Sequence, residues 1–329
     1  MGSSSNTKIK PVPFQEVFRE HAGVQGVLRF DRFMALALYH PTVGYYRQDR
    51  PRVGYGHGTD FFTAATSGPI YGEMITAACR SLMPGAELQR YTFVEIGAEP
   101  GSGVMTGLPH PFAAVRTISC GEPIELAGEC IVFSNELFDA QPFRRFVRQG
   151  GTWGEIAVVL RDGQLAEITE KAGAPAELPP HAPEGYIIDA PYEATNLLRR
   201  IAGQPWRGLF LACDYGKTWA ELTESTPAGT ARAYRAHGQS NELLACPGDQ
   251  DLTCHVCWDW LMAALDAAGF HDPCVDYNES FFVRYAAALI SGIVAAEAGR
   301  FSQRKLALMQ LLHPDHLGRK FQVLHALRP

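Results

Sequence analysis

The chain has 329 residues, of which 46% are hydrophobic and 19% are charged, and its formal net charge is -6. A chain of this length can bury a large core, and its negative charge argues against nucleic acid as a general partner. Because no apolar run approaches the ~20 residues of a membrane span and no signal-peptide core is present, the sequence predicts a cytoplasmic protein with no membrane partner.

Two helical patterns occupy residues 14–40 and end at Pro41. A segment rich in Gly and Tyr follows, and a helix is predicted to begin near Pro69. The aromatic side chains of this segment need burial. We therefore expect residues 1–90 to form a helical cap with a binding loop folded over the core.

Residues 91–329 are predicted to form an α/β domain with a β-rich insertion near residues 143–170. Helices and strands alternate along this part of the chain, and two late strands can pair as an antiparallel hairpin. The pattern predicts an open α/β sheet that this hairpin closes. The main strands are expected at residues 91–96, 115–119, 131–133, 208–214, 274–277 and 321–324, and helices at residues 192–201 and 256–268.

The stretch SNELFDAQP, residues 134–142, directly follows a short apolar run at residues 131–133. This pattern indicates a buried parallel strand that ends in polar side chains, and ligands bind at such strand ends in open α/β sheets. Asn135, Glu136 and Asp139 are therefore candidate catalytic residues that could hold and deprotonate an amine or guanidinium, or bind a metal. The alternative is that Asn135 and Asp139 only cap and start a helix.

A glycine-rich turn, GAEPGSG at residues 97–103, follows the strand predicted at residues 91–96. Such a turn lets the backbone approach a nucleotide-like ligand, and an acidic residue beyond it can bind ribose hydroxyls. Glu95 and Glu122 are the available acids, and Glu122 is better placed for a ribose. Glycine turns after strands are also common without a ligand, so both interpretations stay open.

A second acid stands at a strand end, because Asp214 closes the strand predicted before residue 215. Further along, the segment GTARAYRAHG at residues 229–238 places His237 among Gly and Arg residues. His237 is a candidate base or positioning group, and the alternative is an ordinary structural histidine.

The eight cysteines are scattered through apolar contexts, which is typical of reduced intracellular cysteines. Cys254 and Cys257 form a CxxC pair, which in other proteins is redox-active or half of a zinc site. No second close pair completes four ligands, so we expect no metal site.

These segments, in this order, resemble the MidA-type family of proteins described as S-adenosylmethionine (SAM)-dependent methyltransferases, which includes mitochondrial complex I assembly factors. The resemblance extends over nearly the whole chain. The matching segments are ALYHPTVGYY (37–46), GTDFFTAATSGPIYGEMI (58–75), FVEIGAEPG (93–101), SNELFDAQPF (134–143), DYG (214–216), GTARAYRAHG (229–238), PGDQDLTCHV (247–256) and HLGRKFQVL (316–324).

The resemblance implies a class I methyltransferase (Rossmann-like) fold, SAM as cofactor and, in the mitochondrial members, arginine methylation on a partner protein. Three positions at the start of the domain match the cofactor loop: Glu95, Gly97 and Gly101. The family's GDF-T segment, which lies against the cofactor site, is matched by Asp60, Phe61 and Thr63. Asp214 matches the family's DYG segment and is likewise a candidate cofactor-binding residue. Asn135, Glu136 and Asp139 match the NELFDA strand end, where carboxylates could hold a guanidinium by paired hydrogen bonds.

Two departures from the family pattern concern the cofactor loop. Glu99 stands where the family has its middle glycine, so a carboxylate is expected to crowd the cofactor and repel its carboxylate end. The distance from Gly97 to Asn135 is also short, which predicts that the first crossover helix and the ribose-binding strand are missing. In that case Glu122 would not be the ribose acid.

We therefore consider two functions. The first is a SAM-dependent methyltransferase that acts on a protein or a small amine, and the second is a catalytically silent relative that serves as a binding or assembly factor. A nicotinamide-dependent oxidoreductase is disfavoured, because no intact G-x-G-x-x-G follows a strand. A homodimer stays open as the assembly.

Overall fold

The computed structural model describes residues 13–50, 52–54, 59–60, 68–171, 173, 175–299 and 302–329. The helices of these residues are α1 (Phe14–Ala22), α2 (Phe30–Tyr39), α3 (Pro69–Leu82), α4 (Tyr192–Ala202), α5 (Trp219–Glu224), α6 (Trp258–Ala267), α7 (Asn278–Tyr285), α8 (Ala287–Ala296) and α9 (Gln303–Leu312). The first strands are β1 (Val27–Arg29), β2 (Thr92–Ile96), β3 (Ala114–Ile118), β4 (Gly128–Asn135), β5 (Arg144–Gln149), β6 (Thr152–Arg161), β7 (Gln164–Glu170) and β8 (Ile187–Ala190). The later strands are β9 (Trp206–Asp214), β10 (Gly216–Lys217), β11 (Arg232–Arg235), β12 (Gly238–Ser240), β13 (Asp251–Thr253), β14 (Val256–Cys257), β15 (His271–Tyr277) and β16 (Gln322–Arg328).

A six-stranded sheet forms the centre of the fold, with strand order β15-β16-β9-β4-β2-β3. Strands β3, β2, β4 and β9 run parallel to one another, whereas β16 is antiparallel to both β9 and β15. The central strands β4 and β9 are buried along most of their length, as expected for parallel strands covered on both faces. The predicted open sheet with a closing antiparallel hairpin is therefore present.

Helices cover both faces of this sheet. Residues of α3, α7, α8 and α9 share one hydrophobic cluster with Phe133, while α4 and α6 share another with its neighbour Val132. Successive residues of a strand point to opposite faces, so a continuous apolar run in the sequence supplies both layers. The sheet is thus held at the middle of a three-layer arrangement.

The β-rich insertion forms a second sheet of order β1-β6-β5-β8, with β7 paired to β6. It reaches Ala190, beyond the predicted limit near residue 170, and it recruits β1 from the N-terminal cap. The buried guanidinium of Arg145 donates to Asp189 Oδ1 at 2.8 Å and so joins β5 to β8. This sheet ties the cap to the α/β domain.

The shortened cofactor region differs in one respect from the prediction. Residues 97–113 contain no α-helix, as predicted for a missing crossover helix. The strand expected at residues 115–119 is present as β3, which pairs in parallel with β2 along its whole length, so a strand does stand beside β2 at the place where the family comparison implied a loss. The chain returns to the sheet through an irregular loop, and Glu122 follows the resulting edge strand.

Among the described residues, no single helix is long and apolar enough to cross a membrane. The pair α7 and α8 reaches that length and composition only when joined across a bend of 84°.

Candidate active site

Three parallel strands end side by side at one rim of the central sheet. Ile96 of β2 pairs with Ser134 of β4, and Asn135 of β4 pairs with Cys213 of β9. The residues that follow these strands are therefore neighbours in space. This register brings the glycine turn, the NELFDA segment and Asp214 together, as parallel strands with aligned ends require.

Asp214 is fully buried and fixes the turn that carries the other acids. Its Oδ2 accepts a hydrogen bond from the backbone N–H of Phe138 at 2.9 Å, and its Oδ1 accepts from the N–H of Tyr215 at 2.9 Å. Burial raises the pKa of Asp214 to about 7, and the backbone donors oppose that rise. The contacts of Asp214 thus lie within the protein, and its predicted role toward the cofactor stays a prediction.

Glu136 stands at the strand end in a left-handed backbone conformation, with φ of 53°, which is uncommon for a residue other than glycine. Its Oε1 accepts from Asn135 Nδ2 at 2.9 Å, and its Oε2 accepts from the Tyr215 hydroxyl at 3.3 Å. Asn135 Oδ1 accepts in turn from Tyr71 at 2.9 Å. Burial, and then the charge of Asp214, raise the pKa of Glu136 to about 8.

Asp139 is buried, and its Oδ1 has no hydrogen-bond partner among the described residues. Burial raises its pKa well above the ordinary value, and the carboxylates of Asp214, Glu136 and Asp251 raise it further. A buried carboxylate oxygen without a donor is costly unless a ligand supplies one. Asp139 is therefore the residue of this rim that most clearly lacks a cationic or hydrogen-bonding partner.

The glycine turn is folded back onto its own strand by Glu95. The Oε2 atom of Glu95 accepts from the backbone N–H of Val104 at 2.6 Å, and burial raises the pKa of Glu95 to about 7. A Cβ at Gly103 would lie 2.9 Å from that oxygen, so only glycine permits this approach. Glu95 thus shapes the loop in place of the missing crossover helix.

Glu99, the departure from the family loop, is paired with a buried arginine. Arg52 donates from Nε to Glu99 Oε1 at 3.0 Å and from Nη2 to Oε2 at 3.2 Å. Its Nη1 also donates to the backbone carbonyls of Tyr45 at 3.2 Å and Gln48 at 2.8 Å. The negative charge of Glu99 is therefore compensated within the protein.

Two adjoining cavities, each of about 190 Å³, open at this rim. The first, here called the acidic compartment, is lined by Glu95, Glu99, Glu136, Asp139 and Asp251 together with Tyr46, Tyr215 and Tyr234. The second, the apolar compartment, is lined by Ile96, Ile118, Ile124, Leu137 and Leu197, with Glu122 beside them. Gly97 and Glu136 line both. Since ligand pockets usually measure ~300–1,000 Å³, the two compartments together have the volume of one small-molecule site.

Glu122 lies on the apolar compartment, and its Oε2 accepts from the backbone N–H of Ser119 at 2.6 Å. Gly101 has φ of 76° and open space around a Cβ position, so it serves the turn rather than a close contact. Gly97 is different, because a Cβ there would lie 3.0 Å from the Leu137 side chain.

Two of the predicted site residues, Asp60 and His237, lie beside the cleft and not in its lining. Asp60 accepts from the Tyr45 hydroxyl at 2.7 Å and from the backbone N–H of Ala236 at 2.8 Å, and it forms an ion pair with Arg50 at 2.9 Å. His237 lies in the exposed turn between β11 and β12, with Nε2 at 3.1 Å from the Thr59 hydroxyl. Both residues fasten that turn to the N-terminal segment, and neither is among the residues that line the two compartments. Thr63 and Phe61 lie outside the described residues.

The tyrosines and Asp251 of the acidic compartment are not among the candidate residues that the sequence predicts. Asp251 is buried, and its Oδ1 accepts from the Tyr46 hydroxyl at 2.9 Å. Burial raises the pKa of Asp251 to about 6. Their signal was present, because Tyr46 stands in the Gly- and Tyr-rich segment and Asp251 in PGDQDLT.

The sequence is similar to one protein family over part of its length. Residues 114–273, slightly less than half of the chain, match a family model described as "Putative S-adenosyl-L-methionine-dependent methyltransferase". That match covers the NELFDA strand end and Asp214. No curated protein matches the sequence.

Two crystal structures share the fold of this chain. A COG1565 superfamily member from Burkholderia thailandensis, solved with bound S-adenosyl-homocysteine, has a TM-score of 0.82 at 22% identity and covers 96% of this chain and 91% of its own. The native structure of an uncharacterised COG1565 protein from the same species has a TM-score of 0.77 at 22% identity with the same coverage. These similarities show the fold.

We predict that Arg52→Ala lowers the free energy of unfolding by about 2–3 kcal/mol, because a partly buried carboxylate and several carbonyls lose their donor. Arg52→Lys keeps the charge without the planar fork and should recover only part of that loss. Urea unfolding of wild type, Arg52→Ala, Glu99→Gln and the double variant gives the coupling free energy between the two side chains. Additive effects of the two substitutions would contradict the pairing.

Proposed function

We propose that this protein is a SAM-dependent methyltransferase of the MidA type that methylates a cationic nitrogen, and that the acceptor is an arginine side chain of a protein. One observation carries the proposal: an apolar compartment and an acidic compartment adjoin at Gly97 and Glu136, at the carboxyl ends of parallel strands. The family-model match and the bound S-adenosyl-homocysteine of the Burkholderia protein support it.

We infer that the central sheet is a class I methyltransferase sheet that keeps a strand beside β2 and lacks the crossover helix that would precede this strand. The order β15-β16-β9-β4-β2-β3 ends at β3, and the loop at residues 97–113 replaces a crossover helix. The rim of β2, β4 and β9 is nevertheless complete. The loss thus affects the outer side of the apolar compartment and leaves the strand ends with the acids in place.

The residues of the apolar compartment fit the nucleoside part of SAM. Aliphatic side chains from β2, β3 and α4 offer a surface for adenine, and the second carboxylate oxygen of Glu122 is available for a ribose hydroxyl. A Cβ at Gly97 would crowd Leu137 where the two compartments meet. A glycine at this position therefore keeps that passage open for the ligand. SAM, when bound, supplies an electrophilic methyl group on a positively charged sulfur.

The residues of the acidic compartment fit the acceptor. Asp139 presents a buried carboxylate oxygen without a partner, and Glu136 presents a carboxylate whose pKa of about 8 lies close to neutrality. A guanidinium can satisfy such carboxylates with paired hydrogen bonds. As the acceptor nitrogen forms its bond to the methyl carbon, the bond between that carbon and the sulfur of SAM would break and leave S-adenosylhomocysteine with a neutral sulfur, and the ionised Glu136 or Asp139 can take the proton that the nitrogen loses.

The charge of Glu99 does not oppose this arrangement as the sequence suggested. Arg52 holds both of its carboxylate oxygens, so the loop brings a neutral pair and not an isolated charge to the cavity. The tyrosines of the compartment add apolar faces around the acceptor. Cationic side chains are attracted to such faces as well as to carboxylates.

We predict that SAM and S-adenosylhomocysteine bind by isothermal titration and raise the melting temperature by ligand linkage. Glu122→Gln should weaken both ligands about tenfold, the weight of one charge-assisted hydrogen bond. Glu125→Gln changes a nearby exposed carboxylate and should leave the affinity unchanged. If neither ligand gives heat or a thermal shift, the protein is a silent relative that binds or assembles other proteins.

We predict that kcat/KM rises with pH, reaches half of its maximum near the Glu136 pKa of about 8 and levels off above it, because only the ionised carboxylate accepts the proton. Glu136→Gln should lower kcat by about 10²–10⁴ and abolish this limb of the profile. If kcat/KM still rises with pH in Glu136→Gln, another group accepts the proton, and Asp139→Asn is the next variant to measure.

The Glu136→Gln substitution should also stabilise the folded protein at high pH. Burial raises the pKa of Glu136 in the folded state from an ordinary value near 4.5 to about 8, so the folded protein holds its proton longer than the unfolded chain. The free energy of unfolding therefore falls as pH rises across that window. Above it, Glu136→Gln should melt at a higher temperature than wild type, and a lower one would contradict the proposed electrostatics.

The nature of the acceptor is tested with labelled methyl groups and matched peptides that contain arginine, lysine or neither. Arginine peptides should be labelled, and Asp139→Asn should raise KM for them more than KM for SAM. Preferential labelling of lysine peptides or free amines would overturn the arginine assignment while leaving methyl transfer intact.

A further inference from the structure

A cluster of three metal-ligating side chains lies away from the cleft, on the antiparallel hairpin that closes the sheet. Cys274 of β15 stands directly across from His325 of β16, and Asp276 lies two residues beyond Cys274 on the same face. Among the described residues, these three each offer a ligand atom within 4.8 Å of the other two. Asp276 Oδ2 and His325 Nε2 are 3.3 Å apart.

The donor set matches the preferences of zinc. Thiolate, imidazole and carboxylate bind Zn²⁺ at about 2.0–2.3 Å, so donor atoms of a tetrahedral site lie about 3.3–3.6 Å apart. The imidazole and the carboxylate already have that separation.

The surroundings combine an apolar wall with one competing cation. The rings of Phe281 and Tyr285 pack on His325 with centroids 5.4 Å away, and they fix the imidazole beside the hairpin. Arg284 Nη1 lies 3.5 Å from Asp276 Oδ2, and its side chain is 59% exposed. An arginine with so much exposed surface can leave Asp276 at little cost when a metal ion arrives.

We propose that Cys274, Asp276 and His325 bind one Zn²⁺ ion, with water as the fourth ligand. The site uses two neighbouring strands and so would pin the edge strand β15 to β16. Cys254 and Cys257, the CxxC pair of the sequence, are both buried in another part of the chain and take no part. The proposal does not depend on the methyltransferase function.

The test is a titration of the full chain, first treated with a chelator, with Co²⁺ and Zn²⁺. Co²⁺ should produce the thiolate charge-transfer band and tetrahedral d–d bands, and Zn²⁺ should abolish both with a stoichiometry of one. Cys274→Ser should remove the charge-transfer band and weaken Zn²⁺ at least about tenfold. Cys246→Ser, a matched control at another half-buried cysteine, should change neither.

Arg284→Ala separates this site from adventitious binding. Removal of the competing guanidinium should strengthen Zn²⁺ by about two- to fivefold, the weight of one exposed ion pair. A thiolate band that persists in Cys274→Ser, or the absence of stoichiometric Co²⁺ and Zn²⁺ binding by wild type, would overturn the assignment. Either result leaves the SAM-binding experiments unaffected.

Discussion

The cleft depends on the way the buried carboxylate of Asp214 holds the turn after β4. Its two oxygens accept from the backbone of Phe138 and Tyr215, so the chain can leave the strand in an unusual conformation at Glu136. That turn places Glu136 at the junction of the two compartments and Asp139 in the acidic compartment. Because Asp214 itself is out of contact with solvent, its energetic role is to organise the acids, and the cost of burying several carboxyls together is visible in their raised pKa values.

Charge balance explains how the structure accommodates Glu99 in the glycine-rich loop at residues 97–103. Glu95 draws the loop back onto β2, and Arg52 neutralises Glu99 while it holds the carbonyls of the N-terminal segment. A loop without a crossover helix thus acquires its shape from two side-chain contacts. The acids deeper in the cleft have no such arginine partner among the described residues, and the Oδ1 atom of Asp139 has no donor there. This contrast between compensated and uncompensated carboxylates is the physical basis for the proposal that the acidic compartment takes a cationic ligand.

Much of the architecture could be predicted from local patterns. The apolar runs at residues 131–133 and 209–211 predict the central strands, and the SNELFDAQP stretch predicts the polar strand end where the cleft lies. The short distance from Gly97 to Asn135 implied a missing ribose-side strand, yet the strand predicted at residues 115–119 pairs fully with β2, because a loop without a helix is long enough to return the chain to the sheet. The role of Arg52 was not predictable, since its partner Glu99 is 47 residues away in the sequence.

By itself, the sequence determined the class of fold, the rim at which polar residues gather and the resemblance to a methyltransferase family, because these follow from hydrophobic periodicity and from short contiguous motifs. Only the tertiary structure decided which acids face the cleft and which are used inside the protein. It showed that Asp60 and His237 fasten a hairpin turn, that Asp251 and three tyrosines complete the acidic compartment, and that Cys274 meets His325 across two strands. The physical reason is that burial, pairing and pKa depend on contacts between distant segments, which a local pattern does not contain.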